Sequence, residues 1–360
     1  MPGDKIGIIE QYLPGEGTYD DDGDIKSAVL GNVKINQKMK VISVVSDAKP
    51  ALLKVGDIVY GQITDLKPQR ANVKIEDGCD RFCSYCLIPT ARGRSRSKSL
   101  ELIDKELKSL AENGYKEIVF VGINLSDYGK KTPYSLPDAL ILAEKYDGIE
   151  RLRLGSLEPD HITDEMIEKL GKINKLCPQF HISVQSGCNN VLKKMNRHYT
   201  AEEYEKLAKK LRETFEDATI TTDVLVGFPT ETEEDVELTL DLMNQVRFET
   251  ACMYYYNPRE GTPAAKMEQL PEEVRKARLQ RVIDLQLIHT DEQMKKRIGQ
   301  TVKVLVESVT RDNSEELLGK TAQDEKVSFK ANKSLIGKFI YVTITELNGH
   351  TFKGCVCEAN

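Results

Sequence analysis

A chain of 360 residues exceeds the usual single-domain size, and with 40% apolar and 30% charged residues it has the composition of a folded protein of two or three domains. No apolar run approaches the ~20 residues that cross a bilayer, and the opening MPGDKIGIIE lacks the basic-then-apolar layout of a secretory signal, so a cytoplasmic protein without membrane contact is expected. The net charge of -6 excludes a global electrostatic pull toward nucleic acid and leaves any RNA contact to local basic patches.

Residues 1–70 carry short β-type runs at 5–9, 28–35, 41–45 and 57–64, broken by Pro14-Gly15-Glu16-Gly17 and by an acidic stretch at 20–24. They predict a small all-β unit. From residue 71 the pattern becomes strand followed by helix. Strands are predicted at 71–75, 117–122, 151–155, 181–185 and 219–227, with helices at 100–113, 135–146, 164–172, 201–215 and 233–246. That alternation implies parallel strands with crossover helices, in an open sheet or a barrel. A helix over 271–298 follows, and strand runs at 302–309, 326–329, 339–346 and 351–356 predict a closing β-barrel. The expected domains are therefore 1–70, 71–298 and 299–360.

Of the eight cysteines, Cys79, Cys83 and Cys86 lie in the loop after the first strand of the alternating region. So tight a group, in a chain with few other cysteines, suits a metal in a reducing compartment better than disulfides. The C-x3-C-x2-C spacing lets three thiolates converge on one centre, and soft thiolates favour iron-sulfur or zinc over hard ions. A four-iron cluster on three thiolates leaves one iron without a protein ligand. The alternative is a zinc knuckle completed by His161, His181 or another cysteine, although zinc prefers paired C-x2-C hooks. Cys177, Cys188, Cys252, Cys355 and Cys357 show no three-ligand spacing, and most are expected to be buried small hydrophobes. Arg92, Arg94 and Arg96, with Lys98, have no acidic neighbours in the sequence and read as an RNA phosphate-binding patch. Arg275, Lys276, Arg278 and Arg281, beside Glu272 and Glu273, read as an ordinary solvated face.

Beyond the triad, the segment from Asp77-Gly78-Cys79 to Cys86-Leu87-Ile88-Pro89 resembles the cluster loop of radical S-adenosylmethionine tRNA methylthiotransferases. The likeness continues in Ser156-Leu157-Glu158-Pro159, Gln185-Ser186-Gly187-Cys188, Met195-Asn196-Arg197 and Gly227-Phe228-Pro229-Thr230-Glu231-Thr232. It ends in Arg259-Glu260-Gly261-Thr262-Pro263 and a tail similar to the RNA-binding TRAM barrel. Gly122-Ile123-Asn124 with Tyr128-Gly129 resembles the branch acting on threonylcarbamoyladenosine next to the anticodon.

The resemblance implies an α/β fold: a partial (β/α)6 barrel flanked by the small N-terminal β unit and the C-terminal TRAM barrel. It implies one 4Fe-4S cluster on Cys79, Cys83 and Cys86, and S-adenosylmethionine held by Tyr85, Gly122, Asn124, Glu158, Gln185, Arg197 and Gly227. Physics supports part of this placement. Ligands of parallel α/β folds bind at the carboxyl ends of strands, where Asn124, Glu158, Gln185 and Gly227 are expected, and a glycine there lets backbone approach a cofactor. The implied activity is methylthiolation of carbon two of the adenine. Its partners would be tRNA and an electron donor such as flavodoxin or ferredoxin.

The family begins with its own α/β domain, whose three cysteines hold a second cluster for the sulfur. Here residues 1–70 instead resemble the N-terminal part of the archaeal exosome RNA-binding cap subunit, in Pro2-Gly3-Asp4-Lys5-Ile6-Gly7, Leu13-Pro14-Gly15-Glu16-Gly17 and residues 53–61. An exosome-like partner for that segment follows from the likeness, and sulfur insertion loses its expected donor. The competing expectation is a non-catalytic RNA-binding adaptor, exosome-cap-like, with a vestigial radical domain.

Overall fold

A computed structural model describes residues 3–9, 11–21, 23–28, 31–45, 69–310 and 313–357. The chain divides into two compact units, 1–65 and 66–360. The strand run expected at 57–64 and the exosome-like stretch at 53–61 lie outside the described residues.

The first unit holds two three-stranded sheets. Lys5–Ile8, Asp24–Ser27 and Thr18–Asp21 pair antiparallel, and Val41–Val45 pairs antiparallel with Asn32–Asn36 and parallel with Leu13–Pro14. Its core is thin: Ile25, Ile42 and Val44 are buried, whereas Leu13, Val33 and Ile35 are exposed.

In the second unit the expected alternation forms a parallel half-barrel. Arg70–Lys74, Glu117–Val121 and Arg151–Leu154 pair in parallel, as do Gln179–His181, Thr219–Val226 and Thr250–Tyr255. Parallel bridges Leu152↔Leu176 and Leu157↔Ile182 join the two sheets into one wall. Helices Leu100–Glu112, Leu136–Glu144, Asp164–Leu170, Ala201–Thr214 and Glu233–Val246 make the crossovers. Two of them start where the sequence signals it. Thr200 with Glu203 and Thr232 with Asp235 form capping boxes, each satisfying backbone N–H groups that a helix start leaves open. The core between strands and helices is apolar and fully packed, with Phe120, Phe180, Tyr204 and Phe248 among its largest buried side chains.

Two strands depart from expectation. The predicted run 181–185 is a strand only over Gln179–His181, because the chain then leaves the ladder and returns at a single bridge, Gln185↔Val224, with Gln185 at φ 64°. Thr250–Tyr255 had no assigned range. It alternates exposed with half-buried residues although its sequence, TACMYY, is mostly apolar.

Helix Glu272–Lys295 leads into a closed five-stranded barrel of Thr301–Val309, Glu316–Lys320, Lys326–Lys330, Phe339–Asn348 and Thr351–Val356. The strand Glu316–Lys320 was missed because Gly319 interrupts its apolar pattern. Val304, Val306, Leu317, Phe329, Val342 and Phe352 fill this barrel.

Charged groups dock it to the amino ends of the parallel strands. The buried Glu117 carboxylate meets Arg70 at 3.2 Å and Arg153 at 3.1 Å. Arg151 donates to the carbonyls of Lys320 (3.0 Å) and Lys303 (2.6 Å), Arg153 to that of Ala322 (2.9 Å), and Asp324 pairs with Arg70 at 3.0 Å. No helix among the described residues is long and apolar enough to cross a membrane.

Candidate functional site

The loop bearing the three cysteines leaves the first parallel strand at its carboxyl end, through a short antiparallel neck of Glu76–Asp77 against Arg96–Ser97. Gly78 makes the turn at φ 86°, where a Cβ would lie 2.2 Å from the Arg94 carbonyl, so no side chain fits. The loop is clamped from two sides. Ser84 N–H donates to the Met195 carbonyl (3.0 Å), Ser84 Oγ to that of Lys194 (2.8 Å), and the Asn196 amide to that of Phe82 (2.9 Å). From the other side Ala264 N–H donates to the Ser84 carbonyl at 2.8 Å. The Met195-Asn196-Arg197 and Arg259-to-Pro263 segments are thus tied to the cysteine loop by contact within or next to them.

Each sulfur accepts an N–H. Cys79 Sγ takes Arg81 N (3.3 Å) and Asn124 Nδ2 (3.8 Å), Cys83 Sγ takes Arg197 Nη1 (3.6 Å), and Cys86 Sγ takes Ile88 N (3.4 Å). Burial pushes the Cys79 thiol up to about 11, and burial also raises Cys83 against the pull of Arg197. Among the described residues no group of three His, Cys, Asp or Glu side chains stands ready-made around an ion. The donor set nevertheless fits an iron-sulfur cluster: three soft thiols on one loop, each with an N–H donor that stabilises the thiolate once a metal displaces the proton.

Behind the sulfurs, Arg197 reaches Glu158 through two contacts, Nη1–Oε1 at 3.0 Å and Nη2–Oε2 at 2.6 Å, and donates to Tyr199 OH and the Ser183 carbonyl. Burial raises the Glu158 carboxyl above its ordinary value, and Arg197 opposes the rise. Tyr85 packs edge-on against Phe228, and burial raises its hydroxyl well above the usual range. Asn124 is buried and splits its amide N–H between Cys79 and Asp127, while its Oδ1 has no partner among the described residues. Gln185 is half-buried, its backbone bridged to the strand that carries Asp223.

The two glycines have another use than close cofactor approach. A Cβ on Gly122 would meet Glu76 Oε2 at 2.8 Å, and one on Gly227 would meet Arg275 Cγ at 2.6 Å. Both positions are filled by neighbouring side chains, so packing already demands glycine there.

The arginine patch is less unopposed than its local sequence reads. The fold brings to Arg94 and Arg96 the acidic neighbours that the local sequence lacks, Asp80 at 3.6 Å and Asp77 at 3.0 Å, while Arg92 has no ion pair among the described residues. The spare cysteines also differ from expectation: Cys177 and Cys188 are buried, but Cys252 and Cys355 are exposed and Cys357 is half-buried. Cys252 lies on the edge strand, and Cys355 and Cys357 at the end of the last strand, where neither is covered by a helix.

Several residues of the site escaped sequence reasoning. Arg81, between two of the cysteines, pairs with Asp160, His161 Nε2 (2.6 Å) and His198 Nδ1 (2.9 Å). His161 Nδ1 in turn meets Asp127 at 2.5 Å. Burial would raise the Asp127 carboxyl, yet His161, Lys130 and Arg81 together hold it below the ordinary value. On the barrel wall His181 sits between Thr221 (3.0 Å) and Asp223 (3.2 Å), which also accepts from Ser183 Oγ at 2.7 Å. The two histidines are thus bonded to Arg81, Asp127, Thr221 and Asp223, and no hydrogen bond joins either to a cysteine sulfur among the described residues. A histidine followed by polar residues on a parallel strand was the available signal for the wall.

A parallel half-barrel with a cysteine loop at its carboxyl mouth is the architecture of the radical SAM superfamily, whose family model matches residues 73–243. The TRAM domain model matches 295–356, and the model of the exosome complex exonuclease RRP4 N-terminal region matches 1–36. Three relatives named tRNA-2-methylthio-N(6)-dimethylallyladenosine synthase extend the likeness across most of the chain. That of Desulforamulus reducens is 38% identical over 91% of this chain and 73% of its own length. That of Bacillus mycoides is 45% identical over 79% and 57%, and that of Treponema denticola 42% over 80% and 66%. The chain belongs to the radical SAM tRNA methylthiotransferase family. It spans between 57% and 73% of the length of these three relatives.

Proposed function

We propose that the chain binds S-adenosylmethionine at the barrel mouth and methylthiolates carbon two of an N6-substituted adenosine beside the tRNA anticodon. The observation that carries this is a single loop of three thiols, each accepting an N–H, with Arg197 donating to Cys83 and pairing with Glu158. Cys79, Cys83 and Cys86 would hold a four-iron cluster, which when bound supplies one electron to the cofactor's sulfonium. Arg197 fixes Glu158 and backs Cys83, so one side chain couples the cofactor wall to the thiols. Asn124 Oδ1, buried and unpartnered, offers an acceptor for a cofactor ammonium or hydroxyl. Tyr85, packed on Phe228, gives the side near Cys83 and Arg197 an apolar face. Gln185, and the backbone at Gly122 and Gly227, complete the wall, and the exposed Arg92 remains a candidate phosphate contact.

The N6 group has two supported forms. The names of the relatives support dimethylallyl. The Gly122-Ile123-Asn124 and Tyr128-Gly129 pattern supports threonylcarbamoyl, although Tyr128 is buried with its hydroxyl on the Lys98 carbonyl and reaches a substrate only through the fold. A non-catalytic adaptor is not favoured, since the thiols, Asn124 and Arg197 retain one connected arrangement.

Anaerobic reconstitution with iron and sulfide, followed by reductant, S-adenosylmethionine and tRNA of each type, tests the proposal. About four irons per chain, deoxyadenosine and a methylthiolated nucleoside from one tRNA are expected. Deoxyadenosine without modified nucleoside would limit this chain to the radical half-reaction, and neither product would overturn the reading.

A further inference from the structure

Beside the cysteine loop, one buried carboxylate has no role in the cofactor wall proposed above. Asp127 is 2% exposed and ends the short 3-10 turn Leu125–Asp127, which follows directly on Asn124. The turn is closed by Asp127 N–H donating to the Asn124 carbonyl at 2.9 Å. Such a turn brings side chains three positions apart together, and the Asn124 amide meets the Asp127 carboxylate, Nδ2 to Oδ2, at 3.1 Å. We propose that Asp127, anchored by His161, is a positioning residue that sets which way the Asn124 amide faces, nitrogen toward Cys79 and oxygen open to S-adenosylmethionine. The proposal rests on the cofactor reading above and deepens it.

Each bond leading to that amide has its direction fixed by a group that can only donate or only accept. A guanidinium has donors alone, so His161 Nε2, 2.6 Å from Arg81 Nη2, accepts. The ring proton then lies on Nδ1, which donates to Asp127 Oδ1 at 2.5 Å. Lys130 reaches the same oxygen at 3.5 Å. Burial alone would raise the Asp127 carboxyl, yet His161, Lys130 and Arg81 hold it below the ordinary value, so the group is an ionised acceptor. An ionised carboxylate cannot donate, and the Asn124 amide must therefore turn its nitrogen to Oδ2. The same nitrogen reaches Cys79 Sγ at 3.8 Å, and Oδ1 is left buried without a partner among the described residues.

Apart from the long contact to Cys79, no other side chain among the described residues fixes that orientation. The Asn124 backbone N–H goes to Glu76 Oε2 at 2.8 Å, which holds the main chain and leaves the amide free to turn. The two ends of an amide are nearly equal in size and opposite in hydrogen-bonding character, so an unguided asparagine can offer a ligand either one. With Asp127 in place the acceptor faces the ligand in advance, which is what a cofactor ammonium or hydroxyl requires. Were Asp127 only a counter-charge to His161 and Lys130, its effect on binding would not depend on Asn124.

The test is a double-mutant cycle on the full chain, reconstituted anaerobically with iron and sulfide. Calorimetric titration with S-adenosylmethionine in the absence of reductant reads affinity without turnover. Asn124→Ala removes the acceptor and should weaken binding by about ten- to a hundredfold, the span of one hydrogen bond to a charged group. Asp127→Asn, whose own amide can donate to Asn124 Oδ1 and turn it, should weaken binding within the same range. The double variant should bind no more weakly than Asn124→Ala alone, because Asp127 acts only through that amide. His161→Leu takes away the anchor of Asp127; it should act in the same direction and likewise add nothing to Asn124→Ala, and it decides the matter if Asp127→Asn does not fold. Wild-type affinity in Asp127→Asn, or additive losses in the double variant, would overturn the inference while leaving Asn124 in the cofactor wall. Wild-type affinity in Asn124→Ala would remove Asn124 from that wall and the inference with it, and absence of binding to the wild-type protein would sink the cofactor reading itself.

Discussion

The two ends of the parallel barrel use the same ingredients, buried arginines against buried carboxylates, to opposite effect. At the base, Glu117 is ringed by Arg70, Arg151 and Arg153, and their remaining donors end on TRAM carbonyls. None of these side chains leaves a buried polar atom unpartnered among the described residues. At the mouth, Arg81 Nε, Asp160 Oδ1 and Asn124 Oδ1 all lack partners. Native structures keep such orphans rare because each costs about 1–3 kcal/mol, so their clustering beside the cysteine loop marks where a ligand is expected, while the closed base marks a structural joint.

The sharpest break of that contrast is Cys83→Ala. The two remaining thiolates cannot hold a cubane, so iron after reconstitution should fall from about four per chain to a small fraction with the far-ultraviolet circular dichroism unchanged. An undiminished visible cluster band in the variant would remove the mouth from the argument. Glu117→Gln probes the base. Leaving three arginines around a neutral amide should cost about 3–5 kcal/mol in thermal unfolding, with cluster loading at permissive temperature unaltered. A stable variant that loses iron would reverse the assignment of the two ends.

The ends should also answer pH with opposite sign. At the mouth, burial pushes the Glu231 carboxyl up to about 7, against the pull of the Gly227 N–H and Arg278. A raised carboxyl contributes stability below its unfolded value near 4.5 and loses it as pH rises through about 7, a change of roughly 3 kcal/mol. At the base, burial would raise Asp324, but Arg153 and Lys320 hold it below the ordinary value, so its contribution is lost as pH falls below about 3.8. Melting temperatures from pH 3 to 8 should show Glu231→Gln flattening the upper part of the curve, with Asp324→Asn lowering stability throughout the range above about 4 and losing its effect only at the acid end. The smallest effect belongs to neither end. Arg281→Ala removes exposed pairs with Glu233 and Glu237 and should change stability by less than about 1 kcal/mol.

Much of this was legible in the sequence because the signals were local. Helix starts at Thr200 and Thr232 are written as Thr-x-x-acid, and the strand at Thr219–Val226 as a β-branched run ended by Gly-Phe-Pro. The cysteine loop announced itself by spacing alone. What stayed hidden depends on partners far along the chain. Arg94 and Arg96 look unopposed until the neck strands bring Asp77 and Asp80 beside them, and nothing local to Gly122 shows that Glu76 packs against it. Arg81 reads as a spacer between cysteines, yet its partners Asp160 and His198 lie on two later loops.

The ion pair between Arg70 and Asp324 joins residues 254 positions apart, which sets an order of assembly. During synthesis the six parallel strands emerge long before the TRAM segment, and for that interval Arg151 and Arg153 have no carbonyls to receive their donors. The barrel base is therefore complete only when the last domain has left the ribosome. A chain truncated before the TRAM barrel is therefore expected to leave Arg151 and Arg153 without their carbonyl acceptors and to be cleaved faster than the full chain in limited proteolysis.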